Sequence, residues 1–119
     1  VLFGASGELS QVVLNILGNA RDVLRDKGTL EAYVSITLHT NDKEMIIEIA
    51  DNGGGIPPEV LPKIFDPYFS TKNKAQGTGI GLYMSKTIIE KHYKGKLEAK
   101  NSEEGAIFTI RIPMMADLL

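Results

Sequence analysis

Two asparagines, one aspartate and two glycine clusters carry the chemical information in this chain. Asn15 and Asn19 stand four residues apart inside a helical pattern, so both amides project from one face. Neutral amide oxygens are hard donors of the kind Mg²⁺ accepts, and that ion keeps waters and phosphate oxygens as its other ligands. Asp51-Asn52-Gly53-Gly54-Gly55-Ile56 follows an apolar strand pattern, and Gly77-Thr78-Gly79-Ile80-Gly81-Leu82 precedes a helical one. The first cluster lets backbone approach a flat base edge beside a fixed carboxylate. The second leaves helix N–H groups facing phosphates. Together they are a layout for binding a nucleotide.

Each feature also has a plainer reading. A polar helical stripe is usually a solvated face, and Asp-Asn-Gly is usually a turn. Yet asparagine is a mediocre helix former, and Gly18 beside the stripe costs a further ~1 kcal/mol relative to alanine while clearing room for a ligand. Three successive glycines also exceed what a tight turn needs. The Asp51 carboxylate suits the exocyclic amine of adenine and disfavours guanine, which presents a carbonyl there. Lys72 is either a solvated lysine or a point-charge phosphate donor. Phe65 and Phe69 flank Pro67 and read as hydrophobic anchors for the polar stretch from Ser70 to Gln76, which is long enough to fold over a ligand. That stretch is expected to be mobile without nucleotide. His92 falls within the inward arc of its helix and is expected to be a core or helix-end residue, and His39 to be exposed at a strand end. Neither reads as a nucleophile or a metal ligand.

The elements that must position these residues follow from hydrophobic period. From Gly7 to Lys27, Leu9, Val12, Val13, Ile16, Leu17, Ala20, Val23 and Leu24 share one helical arc. Glu8, Gln11, Asn15, Asn19, Asp22 and Asp26 share another. Ser6 is placed to cap this helix and Gly28 to end it. Alternation predicts strands over Tyr33–His39 and Glu44–Ala50 with a turn at Asn41-Asp42, then a short helical turn within Pro57–Pro62. A second helix is expected from Gly79 to Tyr93, with Leu82, Ile88 and Ile89 inward. Strands over Lys96–Asn101 and Ala106–Ile112 complete the chain, joined through Glu103-Glu104-Gly105. Helices gathered on one face of a largely antiparallel sheet make an α+β sandwich.

Composition sets outer bounds. At 119 residues, 43% hydrophobic and 24% charged, the chain fits one ordinary globular domain. No apolar run nears the ~20 residues of a membrane helix, and Val1-Leu2-Phe3-Gly4 does not resemble a signal peptide. With no cysteine, disulfides and thiolate metal sites are excluded. A net charge of −2 without a basic cluster argues against nucleic-acid binding but not against one phosphate chain.

In this order the motifs resemble those of the catalytic, ATP-binding domain of sensor histidine kinases, within the superfamily that includes DNA gyrase, the Hsp90 chaperones and MutL. Gln11–Ala20 resembles the N box, Asp51–Pro57 the first glycine box, Phe65–Lys72 the F box and Gly77–Leu82 the second glycine box. The resemblance implies a Bergerat-type two-layer sandwich, helices on one face of a mixed, largely antiparallel sheet, with ATP and Mg²⁺ under a lid. It implies Asn19 as the main metal ligand, with Asn15 supporting it. Asp51, Gly53, Gly55 and Ile56 would form the base site. Gly77, Thr78, Gly79, Ile80, Gly81 and Leu82 would meet the phosphates. Lys72 would reach the outer phosphates and share the catalytic role with Asn15. Thr109 would join the adenine network.

Where many members have a basic residue three positions after the second asparagine, this chain has Asp22, which leaves that contact to Lys72 or Arg25. The implied activity is transfer of the ATP γ-phosphoryl group to a histidine on a separate dimerisation domain, for relay to a response regulator receiver domain. Residues 1–119 would then be one catalytic domain, a fragment lacking the sensor and phosphoacceptor parts. It would be monomeric alone and part of a homodimer at full length, and cytoplasmic whether or not the whole protein is membrane-anchored. The alternatives are an ATP-hydrolysing gyrase-, Hsp90- or MutL-like domain and a non-catalytic, nucleotide-gated interaction module. The hydrolysing relatives typically carry a glutamate at the position of Asn15.

Overall fold

The computed structural model describes residues 6–67 and 81–114. Helix α1 spans Ser6–Asp26 and is followed by strands β1 (Val34–Thr40) and β2 (Glu44–Asp51). A 3₁₀ turn over Leu61–Lys63 comes next, then α2 (Gly81–Thr87), which passes directly into a π-helical turn over Ile88–His92. Strands β3 (Lys96–Asn101) and β4 (Ala106–Pro113) follow. The sheet order is β1-β2-β4-β3, with all three pairings antiparallel. Both helices pack on one face. This is the α+β sandwich that the periodicity predicts.

The buried face of α1 follows the arc that is apolar in sequence, with Asp22 of the polar arc buried as well at 6% exposure. Val12 and Ile16 of α1 meet Ile49, Ile110, Ile112 and Leu97 of the sheet and Ile89 of the π turn, each 2% exposed or less. Burial of one such side chain contributes roughly 1.5–3 kcal/mol, so this seam holds the two layers together. The β1–β2 turn forms as the Asn41-Asp42 pair predicts. Asn41 Oδ1 accepts the Lys43 and Glu44 N–H groups at 2.7 and 2.9 Å, an Asx turn that stands in for backbone pairing. Strand β1 lies at the sheet edge, and its Ile36 and Leu38 are exposed.

Two expectations change. The second helix does not keep a 3.6-residue period to Tyr93, because its last five residues form the wider π turn. That turn re-phases the side chains, so Tyr93 is the inward residue (5% exposed). The His92 side chain stays half-exposed, with Nδ1 2.7 Å from Glu8 Oε2 at the start of α1. His92 is therefore not a core residue. The expected helical turn at Pro57–Pro62 is also shorter: Val60 and Leu61 N–H groups donate to Pro57 O, and helical structure is confined to Leu61–Lys63.

Candidate nucleotide site

The site is built where the end of β2 runs beneath the C-terminal half of α1. Asp51 is the last residue of β2 and shares the helix-facing row with Ile47 and Ile49. Its carboxylate is only 8% exposed as a residue. Oδ1 accepts the Gly53 N–H at 2.9 Å and the Ala106 N–H at 3.3 Å. Among the described residues no donor reaches Oδ2. One oxygen therefore fixes the carboxylate and the other remains to accept from a ligand.

The glycine loop beside it is held from several sides. A Cβ at Gly53 would stand 3.0 Å from Val23 Cγ1 and 3.3 Å from Leu24 Cδ2, so any side chain there would press those two residues of α1 aside. Gly54 and Gly55 have φ of +87° and +86°, values that side chains disfavour. Lys27 Nζ donates to Gly53 O at 2.8 Å and Gly55 O at 3.4 Å, and Gly54 N–H donates to Glu104 O at 3.0 Å. Asn52 turns away from the site, accepting the Tyr33 N–H and donating to Glu31 O. At the loop's far end the Asn101 amide bonds both backbone groups of Ile56, each at 2.7 Å.

Asn15 and Asn19 lie half-buried one turn apart on α1. Asn15 Nδ2 donates to Oγ of Ser85, which is fully buried in α2, at 3.2 Å, and its Oδ1 accepts from Gln11 Nε2 at 3.1 Å. Among the described residues no group of three or more His, Cys, Asp or Glu side chains gathers to hold a metal. Amide oxygens are hard donors of the kind Mg²⁺ accepts beside waters and phosphate oxygens, and of this pair the Asn15 oxygen already accepts from Gln11. Asp22 is buried, with Arg21 and Arg25 donating to its Oδ1 at 3.2–3.3 Å. Arg25 also faces Asp26 at 3.6 Å, so it is drawn into acidic neighbours of its own helix.

Phe65 packs against the core. It sits edge-on to Phe108 with centroids 6.3 Å apart, and Lys86 Nζ lies 4.9 Å from its ring centroid. Leu82 packs at the rim of the core. Lys72, Gly77, Thr78, Gly79 and Ile80, together with Phe69 and the Ser70–Gln76 stretch, lie outside the described residues.

Thr109 is not brought to this site. It pairs with Glu48 and Glu98, whereas Asp51 shares the row of Ile49, which pairs with Phe108. Side chains alternate across a strand, so Thr109 lies on the opposite face of the sheet from Asp51. The alternation of Phe108, Ile110 and Ile112 already carries that signal. Sequence reasoning missed Lys27, Ser85, Asn101 and Gly105 as parts of the site. Only Ser85, on the inward arc of its helix, had a local signal.

Residues 4–116 match the family model described as histidine kinase-, DNA gyrase B-, and HSP90-like ATPase. The two-component sensor PprA of Pseudomonas aeruginosa is 39% identical over 119 residues, which is 98% of this chain and 13% of that protein. The sensor histidine kinase ZraS of Salmonella typhimurium is 40% identical over 109 residues, 91% of this chain and 22% of that one. The chain thus spans a small part of these relatives. Among solved structures, the catalytic domain of histidine kinase ThkA superposes with a TM-score of 0.76 at 33% identity, covering 90% of this chain and 66% of that one. The mycobacterial sensor histidine kinase MprB gives 0.77 at 26% identity, over 94% and 76%.

Proposed function

The chain belongs to the histidine kinase-, DNA gyrase B-, and HSP90-like ATPase family, and we propose that it is the Mg·ATP-binding catalytic domain of a two-component sensor histidine kinase. The observation that supports this reading is the buried Asp51 carboxylate, whose Oδ1 is taken by two backbone N–H groups, so that Oδ2 would be the atom to accept from the adenine amine. Gly53, Gly55 and Ile56 give the base a flat backbone wall. Asn19 and Asn15 would hold Mg²⁺, which supplies charge neutralisation to the phosphates. Lys72 and the Gly77–Leu82 box would meet the phosphate chain.

In the reaction an imidazole nitrogen of the acceptor histidine bonds to the γ-phosphorus as the β–γ bridging P–O bond breaks, and ADP leaves. Little covalent work falls to the protein, so positioning and electrostatics supply the catalysis. The acceptor would sit on the kinase's own dimerisation domain, and a response regulator would take the phosphoryl group from there. The kinase and sensor names of the relatives support this over an ATP-hydrolysing role.

Calorimetry with ATP and GTP tests the base site. ATP should bind more tightly, and Asp51→Asn should cost at least ~1.5 kcal/mol, the scale of a hydrogen bond to a charged group. Equal affinities for the two nucleotides would sink the base assignment. Radiolabel transfer from ATP to a supplied dimerisation domain tests the kinase, and no transfer would leave a nucleotide-gated module.

A further inference from the structure

Ile56 closes the glycine loop, yet no strand pairs with it. Its N–H donates to Asn101 Oδ1 and its C=O accepts from Asn101 Nδ2, both at 2.7 Å. One side-chain amide thus does what a neighbouring strand would do, satisfying donor and acceptor of the same residue. The same amide shapes the residue before it. A Cβ at Gly55 would stand 2.9 Å from Asn101 Oδ1 and 3.2 Å from its Cγ. Two successive glycines at φ near +87° have backbone freedom that these contacts restrict, beside the Lys27 and Glu104 bonds to the same loop. Asn101 itself is the last residue of β3, fixed by pairing with Ala106, whose N–H also binds Asp51. Carboxylate and loop are thereby referred to one corner of the sheet.

We propose that Asn101 is a positioning residue for nucleotide binding, holding Gly54-Gly55-Ile56 in the conformation that receives the adenine. This rests on the nucleotide reading above. Without the clamp Ile56 loses both of its Asn101 bonds and the loop keeps its Lys27 and Glu104 contacts, so part of the ordering falls to the ligand and affinity falls by the share of the population no longer competent.

The test uses the 119-residue chain, ADP calorimetry, and hydrogen exchange of the Gly53–Ile56 amides without nucleotide. Asn101→Ala should weaken ADP about tenfold and speed exchange in that loop. Asn41→Ala is the control, because it removes two amide bonds from the distant β1–β2 turn. It should lower the melting temperature yet leave ADP affinity and loop exchange as they were. If Asn101→Ala does not fold, Asn101→Asp takes its place. It keeps the acceptor for the Ile56 N–H, sets an oxygen against the Ile56 C=O, and should weaken ADP likewise. A wild type that binds no ADP overturns the nucleotide reading. A wild type that binds, beside Asn101 variants with unchanged affinity or with losses matched by Asn41→Ala, overturns the proposal.

Discussion

Gly105 and Asp51 meet almost backbone to backbone: a Cβ on Gly105 would stand 2.2 Å from the Asp51 carbonyl oxygen and 2.6 Å from its Oδ1. The β3–β4 turn permits this approach, with Ser102 Oγ accepting the Glu104 and Gly105 N–H groups and Ser102 N–H donating to Gly105 O. Gly105→Ala must therefore displace the strand end that carries the carboxylate. It should cost about 1–3 kcal/mol of stability, the range of overpacked sites, and should weaken ATP as well. Gly7→Ala, in the first turn of α1 where a Cβ meets nothing within 4 Å, should be neutral or slightly stabilising. Urea denaturation of both variants checks the contrast, and equal stability would contradict it.

Tyr93 ties the π turn to the start of α1. Its hydroxyl accepts the Leu9 N–H at 3.1 Å, one of the donors that a helix start leaves without an intrahelical partner. Tyr93→Phe should cost about 1 kcal/mol in urea denaturation. Burial raises the Tyr93 pKa above its ordinary 10.0, and the Glu8 charge adds to this against the opposing Leu9 N–H. The stability it contributes is thus complete below pH 10.0 and is lost as pH climbs through the higher folded value. Tyr93→Phe should flatten that alkaline decline, and an unchanged decline would remove Tyr93 as its cause.

The isolated chain should not label itself. His92 is accessible, but it ends the π turn about 15 Å along the helix axis from Gly81, where the second glycine box gives way to α2. It also faces Glu8, which repels a phosphate. His39 lies on the edge strand β1, opposite Ile46. Incubation with labelled ATP should leave no acid-labile label on either histidine, and label on His92 would show that the site reaches the far end of its helix.

Local periodicity explains why so much of the fold was legible. The arc from Leu9 to Leu24 is both the apolar pattern and the buried face, and alternation in Glu44–Asp51 delivers Asp51 to the helix side. The asparagine pair and the first glycine cluster were legible because their spacing is short. What escaped was long-range or non-standard. The Asn101–Ile56 clamp joins residues 45 apart and Lys27–Gly53 joins residues 26 apart, so no sequence window holds both partners. A π turn leaves no period of its own, and assuming 100° per residue turned His92 inward. Thr109 differs, because its neighbours' alternation already assigned it to the other face.

The hydrogen bonds of Asn15 separate kinase from ATPase. A general base for hydrolysis must take a proton from water, and a neutral amide lacks the basicity. Asn15 is further committed at both ends, donating to the buried Ser85 hydroxyl and accepting from Gln11. It is thus fixed as a spacer between α1 and α2. The isolated domain should hydrolyse ATP negligibly, keeping the γ-phosphoryl group for an acceptor histidine. Asn19 is the main metal ligand in the reading proposed above, so Asn19→Ala should impair Mg²⁺-dependent nucleotide binding more than Asn15→Ala. Steady-state phosphate release and calorimetry with and without Mg²⁺ measure the two effects. Robust release that disappears in Asn15→Ala would place the chain among the hydrolysing members of its family.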